Sequence, residues 1–318
     1  MAWFDSLAFD WHEGPHGHPE RPERHQAIRS VLEGKVREGK TRGGDEEELI
    51  PTAPTPVARS LLERVHDAGY IERLERLATF GGGNIDPDTY VGPHSVEAAL
   101  LAAGAVSEAV DGVLAGRFRS AFCSVRPPGH HACRDRGMGF CLFNNVVVGA
   151  QRALMHPDVG RVAILDFDVH HGNGTEELTY ERGDVFFASI HQYPSYPGTG
   201  DADRRGRGEG LSTNLNVPLP PGAGDEEFVA AFSERIGPAL EKFAPDFLLI
   251  SAGFDADARD PLAELEVTAA GFRRLSQQVV CWADAHVGGR IVSTLEGGYD
   301  LAALGEDVLA HVETLLRK

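Results

Sequence analysis

One short segment of the sequence concentrates the residue types that bind divalent metal ions. Residues 166–174 read DFDVHHGNG and follow a run of apolar residues. Because side chains alternate along an extended strand, Asp166, Asp168 and His170 are expected to share one face. Two carboxylates and one imidazole on one face suit a divalent cation, and two buried charges without a cation would be costly. A lone Asp-x-Asp would more often be a turn with a helix cap, but the longer pattern predicts a metal site.

A second segment could supply acid–base chemistry. Residues 126–132 read RPPGHHA, so His130 and His131 follow a rigid Pro-Pro-Gly turn. An isolated pair of histidines usually lies on the surface, yet this pair follows an apolar strand and precedes a glycine-containing loop at Gly137–Phe140. Imidazole titrates near neutral pH, so such a pair beside a metal can accept a proton and later donate one.

Two further segments end apolar runs with one polar side chain each. Ser251–Asp255 ends in a carboxylate, which is either a helix cap or the third protein ligand of a metal that keeps positions open for water and substrate. Leu295–Tyr299 places a phenol after two glycines. Tyr299 either packs on the surface or donates a hydrogen bond to a developing oxyanion.

These segments are separated by a regular alternation of secondary structure. Short apolar runs rich in β-branched residues alternate with longer helical patterns, which predicts an α/β fold with a parallel sheet. The predicted strands are Ala121–Val125, Arg161–Phe167, Val185–Ile190, Asp246–Ser251 and Arg290–Thr294. The predicted helices are Ser95–Ala115, Asn144–Met155, Glu226–Phe243, Thr268–His286 and Leu301–Leu316.

The chemically capable residues all follow predicted strands. In an open parallel sheet, ligands bind outside the carboxyl ends of the strands, so the site is expected there. We find no internal repeat and no linker, which predicts a single domain over residues 1–318. The segments Arg42–Glu48 and Tyr196–Gly210 are predicted to be surface loops from their composition.

Composition excludes several classes of function. Of 318 residues, 42% are hydrophobic and 25% charged, which is enough apolar content for a large core. The formal charge of 30 − 48 = −18 argues against nucleic acid or an anionic membrane as a partner and favours cationic partners such as a basic peptide or polyamine.

Targeting signals and cysteine usage indicate a compartment. There is no signal-peptide pattern and no run of about 18 apolar residues that could cross a bilayer. The cysteines, Cys123, Cys133, Cys141 and Cys281, lack metal-type spacing. Reduced thiols and a cytoplasmic location are therefore expected.

Taken together, the motifs resemble those of the zinc-dependent histone deacetylases and their bacterial relatives, which include acetylpolyamine amidohydrolases and acetoin-utilisation proteins. RPPGHHA, GFCLFNN, DFDVHHGNGT, SAGFDA and LEGGY occur in one order, and the resemblance runs from about Gly17 through Tyr299. It implies an arginase-like fold in which helices flank a multi-stranded parallel sheet. The two-manganese pattern of the arginases themselves is not seen.

The resemblance also implies roles for individual residues. Asp168, His170 and Asp255 would bind one Zn²⁺ per chain, with Fe(II) as an alternative native metal. His131 would be the general base and then the acid, His130 would assist electrostatically, and Tyr299 would polarise the acyl carbonyl. Asp166 and Asn173 would orient the two imidazoles from behind. Asparagine at position 173 is similar to the class II pattern.

Further residues would contact the substrate or a second ion. The resemblance implies a substrate channel that includes Phe140, Gly139 and Gly298, whereas Phe143 is expected in the core. Asp88 is either a rim carboxylate that accepts a substrate N–H or a solvated turn residue. Leu262 aligns with a position where polyamine-preferring eukaryotic relatives have glutamate. A structural K⁺ would lie near Asp166, Asp168, His170 and Ser189.

These residues lead to one predicted function and two alternatives. The predicted reaction is zinc-dependent hydrolysis of the acetyl amide of N-ε-acetyl-lysine in a peptide or protein. The first alternative is acetylpolyamine hydrolysis, because both substrates are cationic near the amide. The second, of a different class, is a non-catalytic module that binds acyl-lysine. The physiological substrate, the acyl-chain preference and whether the chain forms a homo-oligomer stay open.

Overall fold

An eight-stranded parallel β-sheet forms the centre of the computed structural model, which describes residues 1–42 and 48–316. In chain order the strands are β1 (Ala2–Phe4), β2 (Ile50–Thr52), β3 (Gly83–Asp86), β4 (Thr89–Val91), β5 (Ser120–Cys123), β6 (Val162–Asp166), β7 (Val185–Gln192), β8 (Asn214–Leu219), β9 (Phe247–Ala252) and β10 (Ile291–Leu295). β3 and β4 form a separate antiparallel hairpin. The predicted α/β class with a parallel sheet is confirmed.

Helices cover the sheet. They are α1 (Pro22–Arg42), α2 (Arg59–Leu62), α3 (Ala68–Thr79), α4 (Ser95–Leu114), α5 (Asn145–Leu154), α6 (Asn173–Thr179), α7 (Asp225–Ala230), α8 (Gly237–Phe243), α9 (Ala269–His286) and α10 (Leu301–Leu316). A π-helical segment, Ala231–Ile236, joins α7 to α8. The predicted helix Glu226–Phe243 is therefore continuous, with a π-helical middle part.

The strand order is β2-β1-β5-β10-β9-β6-β7-β8. The five predicted strands are β5, β6, β7, β9 and β10. They are neighbours in the sheet, in the spatial order β5-β10-β9-β6-β7, and are buried on both faces. The three outer strands, β1, β2 and β8, were not predicted. β1 and β2 have only three residues each, and Asn214, Asn216 and Pro218 interrupt the apolar pattern of β8.

Alternate residues of β6 show why both faces need helices. Ala163 and Leu165 belong to a core with residues of α1, α9 and α10, whereas Val162 and Ile164 belong to a core with residues of α4 and α5. β6 is therefore apolar from Val162 to Leu165, and its first polar group, Asp166, stands at its carboxyl end.

Two predicted loops have different outcomes. Most of Arg42–Glu48 lies outside the described residues. Tyr196–Gly210 is a loop as predicted, apart from one 3₁₀ turn at Gly208–Gly210. None of the helices in the described part of the chain combines the length and apolar character needed to span a bilayer.

Candidate active site

The loops that follow β5, β6, β9 and β10 meet at one end of the sheet. β6 pairs with β9, and β9 with β10, in parallel register, so their carboxyl ends are neighbours. Hydrogen bonds then join the loops: Val169 N–H donates to Asp255 and Gly297 N–H donates to Asp168. The site therefore lies where the sequence placed it, at the C-terminal strand ends.

Three buried side chains present donor atoms to one another. His170 Nδ1 lies 3.1 Å from Asp255 Oδ2 and 3.3 Å from Asp168 Oδ1. One ligand atom from each residue lies within 4.8 Å of the others. Ligands about 2.1 Å from a tetrahedral zinc ion are about 3.4 Å apart. The spacing and the chemistry of this donor set therefore fit a divalent metal.

Close backbone packing holds the two carboxylates in place. A Cβ atom built on Gly297 would lie 2.1 Å from Asp255 Oδ2, and one on Gly253 would lie 2.1 Å from Asp168 Oδ2. Only glycine fits at these two positions. Burial alone would lower the pKa of His170, but its hydrogen bonds with Asp168 and Asp255 raise the pKa to about 10. The carboxylates thus attract a cation strongly.

Asp166 does not join this donor set, although the alternation of the strand predicts that it should. β6 ends at Asp166, and the chain turns there. Asp166 Oδ1 accepts the backbone N–H of Asp168, and Oδ2 lies 3.0 Å from His130 Nδ1. Asp166 therefore stands behind His130, the place that the family resemblance implies.

His130 and His131 lie side by side, with ring centroids 4.0 Å apart. His131 Nδ1 is 2.7 Å from Asn173 Oδ1. The amide nitrogen of Asn173 points instead toward the sulfur atoms of Cys133 and Met138. Because the amide oxygen can only accept, His131 carries its proton on Nδ1 and keeps an accepting lone pair on Nε2.

The two imidazoles have opposite pKa shifts. Burial opposes the charged form of His130, but the carboxylates of Asp168 and Asp166 outweigh it and hold the pKa well above its ordinary value. Burial, together with the charges on His130 and His170, holds the pKa of His131 well below its ordinary value. The surroundings thus favour the cationic form of His130 and the neutral, proton-accepting form of His131.

Tyr299 is placed by groups on both sides. Its backbone N–H donates to Asp260 Oδ2 over 2.6 Å. The Arg24 guanidinium lies over its ring, 4.7 Å from the centroid. Burial raises the pKa of the phenol well above 10, Arg24 opposes this, and the charges of Asp255 and Asp168 add to it. The hydroxyl group therefore stays protonated as a donor.

Sequence reasoning missed the buried ion pairs beneath Tyr299. Arg126 donates to both oxygens of Glu20, over 2.5 and 2.7 Å, and Arg24 donates to the same carboxylate over 3.1 Å. All three side chains are buried. The sequence signal that could have indicated these ion pairs is the presence of Glu and Arg within two segments rich in Pro and His. These segments are HPERPER at positions 18–24 and RPPGHH at positions 126–131.

Two acidic residues were missed as well. Glu296 Oε2 accepts hydrogen bonds from the backbone N–H groups of Gly129 and His130 over 2.6 and 3.1 Å. These bonds fix the backbone that leads into the histidine pair. Burial raises the pKa of Glu296 to about 7, against the opposing charge of His130. Burial, followed by the charge of Asp255, likewise raises the pKa of Asp260 to about 7.

Two partly exposed aromatic side chains, Phe140 and Tyr196, border these groups, and we call this side of the site the entrance. The Phe140 ring is 5.7 Å from that of Tyr299, and the Tyr196 ring is 5.2 Å from that of His131. Tyr196 was not identified from the sequence, because its Pro-Gly context marks only a loop. Gly139 packs so tightly that a Cβ would lie 2.3 Å from His131 Cδ2. Phe143 is buried in the core, as predicted.

Asp88, Leu262 and Gly298 are the other residues that the family resemblance places in a substrate channel. Asp88 is half-buried in the β3–β4 turn, and its carbonyl accepts from His18, whose ring contacts Phe140. Leu262 is 37% exposed, and its N–H donates to Asp260 Oδ1. Gly298 has φ of +117°, which a residue with a side chain rarely adopts.

The residues proposed for potassium are also neighbours. Asp166 and Ser189 are register partners on β6 and β7, and both are fully buried. Ser189 Oγ is 2.9 Å from His191 Nδ1. Asp168 and His170 follow in the loop after β6.

Comparison with known proteins gives a consistent result. A family model described as the histone deacetylase domain matches residues 18–315. The chain is 40% identical to the histone deacetylase-like amidohydrolase of Pseudomonas aeruginosa, over 98% of this chain and 85% of that protein. It is 39% identical to a probable deacetylase of Archaeoglobus fulgidus, over 89% of this chain and 77% of that protein. The solved crystal structure of an HDA15 HD domain has a TM-score of 0.92 at 34% identity, covering 100% of this chain and 91% of that one.

Proposed function

The chain belongs to the histone deacetylase family, and we propose that it hydrolyses the acetyl amide of N-ε-acetyl-lysine in a peptide or protein to give lysine and acetate. The observation that supports this best is the convergence of three buried metal-binding side chains with a neutral imidazole and a protonated phenol. This combination suits attack of water on an amide.

Asp168, His170 and Asp255 would hold the metal. A zinc ion bound there would polarise the acyl carbonyl and make the attacking water more acidic. Iron(II) is an alternative, because donor affinity alone does not select one metal. A potassium ion near Asp166 and Ser189 would offset carboxylate charge.

His131 moves the protons in this proposal. Its Nε2 lone pair accepts a proton from the attacking water, because Asn173 keeps the other nitrogen protonated. The same nitrogen then donates the proton to the departing amine. His130, whose cationic form Asp168 and Asp166 favour, would stabilise negative charge on the acyl oxygen electrostatically without moving a proton.

Tyr299 supplies a hydrogen-bond donor to the acyl oxygen. The donor gains strength as negative charge develops there, so it lowers the barrier rather than tightening substrate binding. Arg24 and Asp260 fix the loop that carries it.

The entrance favours acetyl-lysine over acetylpolyamine. Leu262 offers apolar contact where a carboxylate would attract a second ammonium group. Asp88 would accept a backbone N–H of a peptide. Acetylpolyamine hydrolysis is the alternative within the family. A non-catalytic binding module has less support, because none of the acid–base groups is replaced.

We further propose a reducing, cytoplasmic location. Cys123, Cys133 and Cys141 are buried free thiols, and Cys281 is free and exposed. Free thiols of this kind persist where thiols are kept reduced.

The test is an assay of the full chain after chelation and after return of zinc. An acetyl-lysine peptide and N-acetylputrescine are compared as substrates, with Asp255→Asn as a control that zinc should not restore. We expect activity to be lost on chelation, regained with zinc, and higher kcat/KM on the peptide. Full activity in metal-free protein would refute the metal role, and preference for the acetylpolyamine would refute the lysine assignment alone.

A further inference from the structure

A cavity of about 570 Å³ lies at the opposite end of the sheet from the candidate active site. Its lining includes Arg161, which directly precedes β6, Phe186 near the start of β7, and Asn214 and Leu215 at the start of β8. At their other ends, β6 and β7 lead into the loops that carry Asp168, His170 and Tyr196. The cavity is therefore separate from the site described above.

The floor of the cavity is apolar. The rings of Phe186 and Phe243 pack with centroids 5.3 Å apart. Leu215 and Ala239 continue this surface, and Leu211, at 66% exposed, stands open at its edge. Such a floor suits a flat ring or a short hydrocarbon chain, and the volume is that of a typical small-molecule site.

The charged residues of the lining, which we call the rim, are all basic. They are Arg161, Arg205, Arg235 and Lys242, and the lining contains no Asp or Glu. Within the described part of the chain, these four side chains enter no ion pair with an acidic group, whereas nearby Arg182 and Arg204 each pair with a carboxylate. The Arg161 guanidinium instead lies 5.6 Å from the centroid of the Phe243 ring.

This arrangement is unusual for a chain with a formal charge of −18. Acidic groups are abundant, yet four cations share one cavity without a carboxylate among them. Like charges placed together repel, and an anion bound between them removes that repulsion. Arginine in particular matches the geometry of phosphate oxygens, with paired donors from one guanidinium.

We propose that this cavity binds a small organic phosphate that carries an apolar ring. The phosphate groups would contact the four cations on the rim, and the ring would lie on the Phe186–Phe243 floor. The site is independent of the proposed deacetylase activity, since it uses none of the same residues.

The experiment is a calorimetric titration of the full chain with adenosine 5′-diphosphate, a ligand that has both the phosphate groups and the ring. Adenosine has the ring alone and inorganic pyrophosphate has the charge alone. We expect the diphosphate to bind at least about tenfold more tightly than either fragment, and its affinity to fall as salt rises. An equal affinity of pyrophosphate and the diphosphate would overturn the role of the apolar floor.

A matched pair of variants locates the site. Arg235→Glu with Lys242→Glu reverses two exposed rim charges, and Arg64→Glu with Arg117→Glu makes the same charge change at exposed positions outside the cavity. The rim variant should lose about tenfold or more in affinity, and the control should lose far less. Equal losses, no saturable binding, or binding of a hexaglutamate peptide in place of the diphosphate would overturn the proposal.

Discussion

The Arg24 guanidinium covers the ring of Tyr299 at 4.7 Å while its Nε donates to the carbonyl of Gly298 over 2.6 Å. Its Nη2 donates to the carbonyl of Glu296, also over 2.6 Å. One buried side chain from α1 thus holds both the phenol ring and the backbone on either side of Gly297. The position of the proposed oxyanion donor depends on a residue far from it in sequence.

Tyr299→Phe should lower kcat by about 10² to 10³ while KM and metal content change little, because the change removes only a donor that acts on the developing charge. Steady-state kinetics and metal analysis of the variant check this. An unchanged kcat would remove Tyr299 from the mechanism.

Arg24→Lys should also lower kcat, by about tenfold or more, because lysine keeps the charge but loses the fork that binds two carbonyls. If Arg24 acts through Tyr299, the change should have little further effect in the Tyr299→Phe background. Kinetics of both single variants and the double variant, with thermal unfolding as a check on folding, provide the test. Additive losses would show that Arg24 acts by another route.

His131→Ala should lose more activity than His130→Ala, since only His131 has a free accepting nitrogen and a neutral ring. A general base contributes about 10² to 10⁴ in rate. The comparison uses kcat/KM of both variants at equal zinc content. The reverse order of activities would exchange the two roles.

Leu262→Glu should shift the ratio of kcat/KM values toward N8-acetylspermidine and away from an acetyl-lysine peptide, because a carboxylate at the entrance attracts a second cation. Met155→Glu is the matched control: an apolar side chain, 51% exposed, replaced by the same acid away from the entrance. An unchanged ratio in Leu262→Glu would show that the loop plays no part in selectivity.

Stability should depend on pH through His66, which is fully buried. Its Nδ1 donates to the carbonyl of Cys133 and its Nε2 accepts from Asn144 N–H, so only the neutral ring fits. Burial lowers its pKa to about 4, from 6.5. As the pH falls, His66 is therefore protonated at a higher pH in the unfolded chain than in the folded chain. The contribution of neutral His66 to the free energy of unfolding is complete above pH 6.5. Roughly 3 kcal/mol of it is lost as the pH falls toward 4.

Urea unfolding at pH 7 and pH 5 checks this. His66→Gln should be less stable than the unaltered protein at pH 7 and should lose less stability between the two pH values. His16→Gln, at an exposed histidine, is the control and should leave the difference unchanged. Equal pH dependence in His66→Gln would contradict the neutral assignment.

The centre of the fold was predictable because burial on both faces makes a strand uniformly apolar. β6, with Val162 to Leu165 all buried, is an example. Edge strands lack that constraint: Ile50 of β2 is 42% exposed, and nothing in its sequence requires pairing with Ala2. The middle of the sheet was therefore predictable from the sequence, and its outer strands were not.

Prediction of the site had a similar limit. Asp168, His170 and Asp255 carry chemistry in their type and follow apolar strands, so the pattern marked them as candidates, with Asp255 left open between a metal ligand and a helix cap. Arg24 and Glu20 act only through contacts that the folded chain creates, 274 residues apart in the case of Arg24 and Gly298. Asp166 was wrongly expected to join the metal donor set. The alternation of side chains was extended beyond Asp166, the residue at which β6 ends.

The strand order has a consequence for synthesis on the ribosome. β10, the last strand to emerge, lies between β5 and β9, which pair with it and not with each other. Until Ile291–Leu295 leaves the exit tunnel, the nascent sheet is divided into two parts, each with an open apolar edge. Such edges recruit other chains. Ribosome stalling before residue 291 should therefore leave a product that aggregates or occupies chaperones, and the enzyme should gain its stability late, in one concerted step.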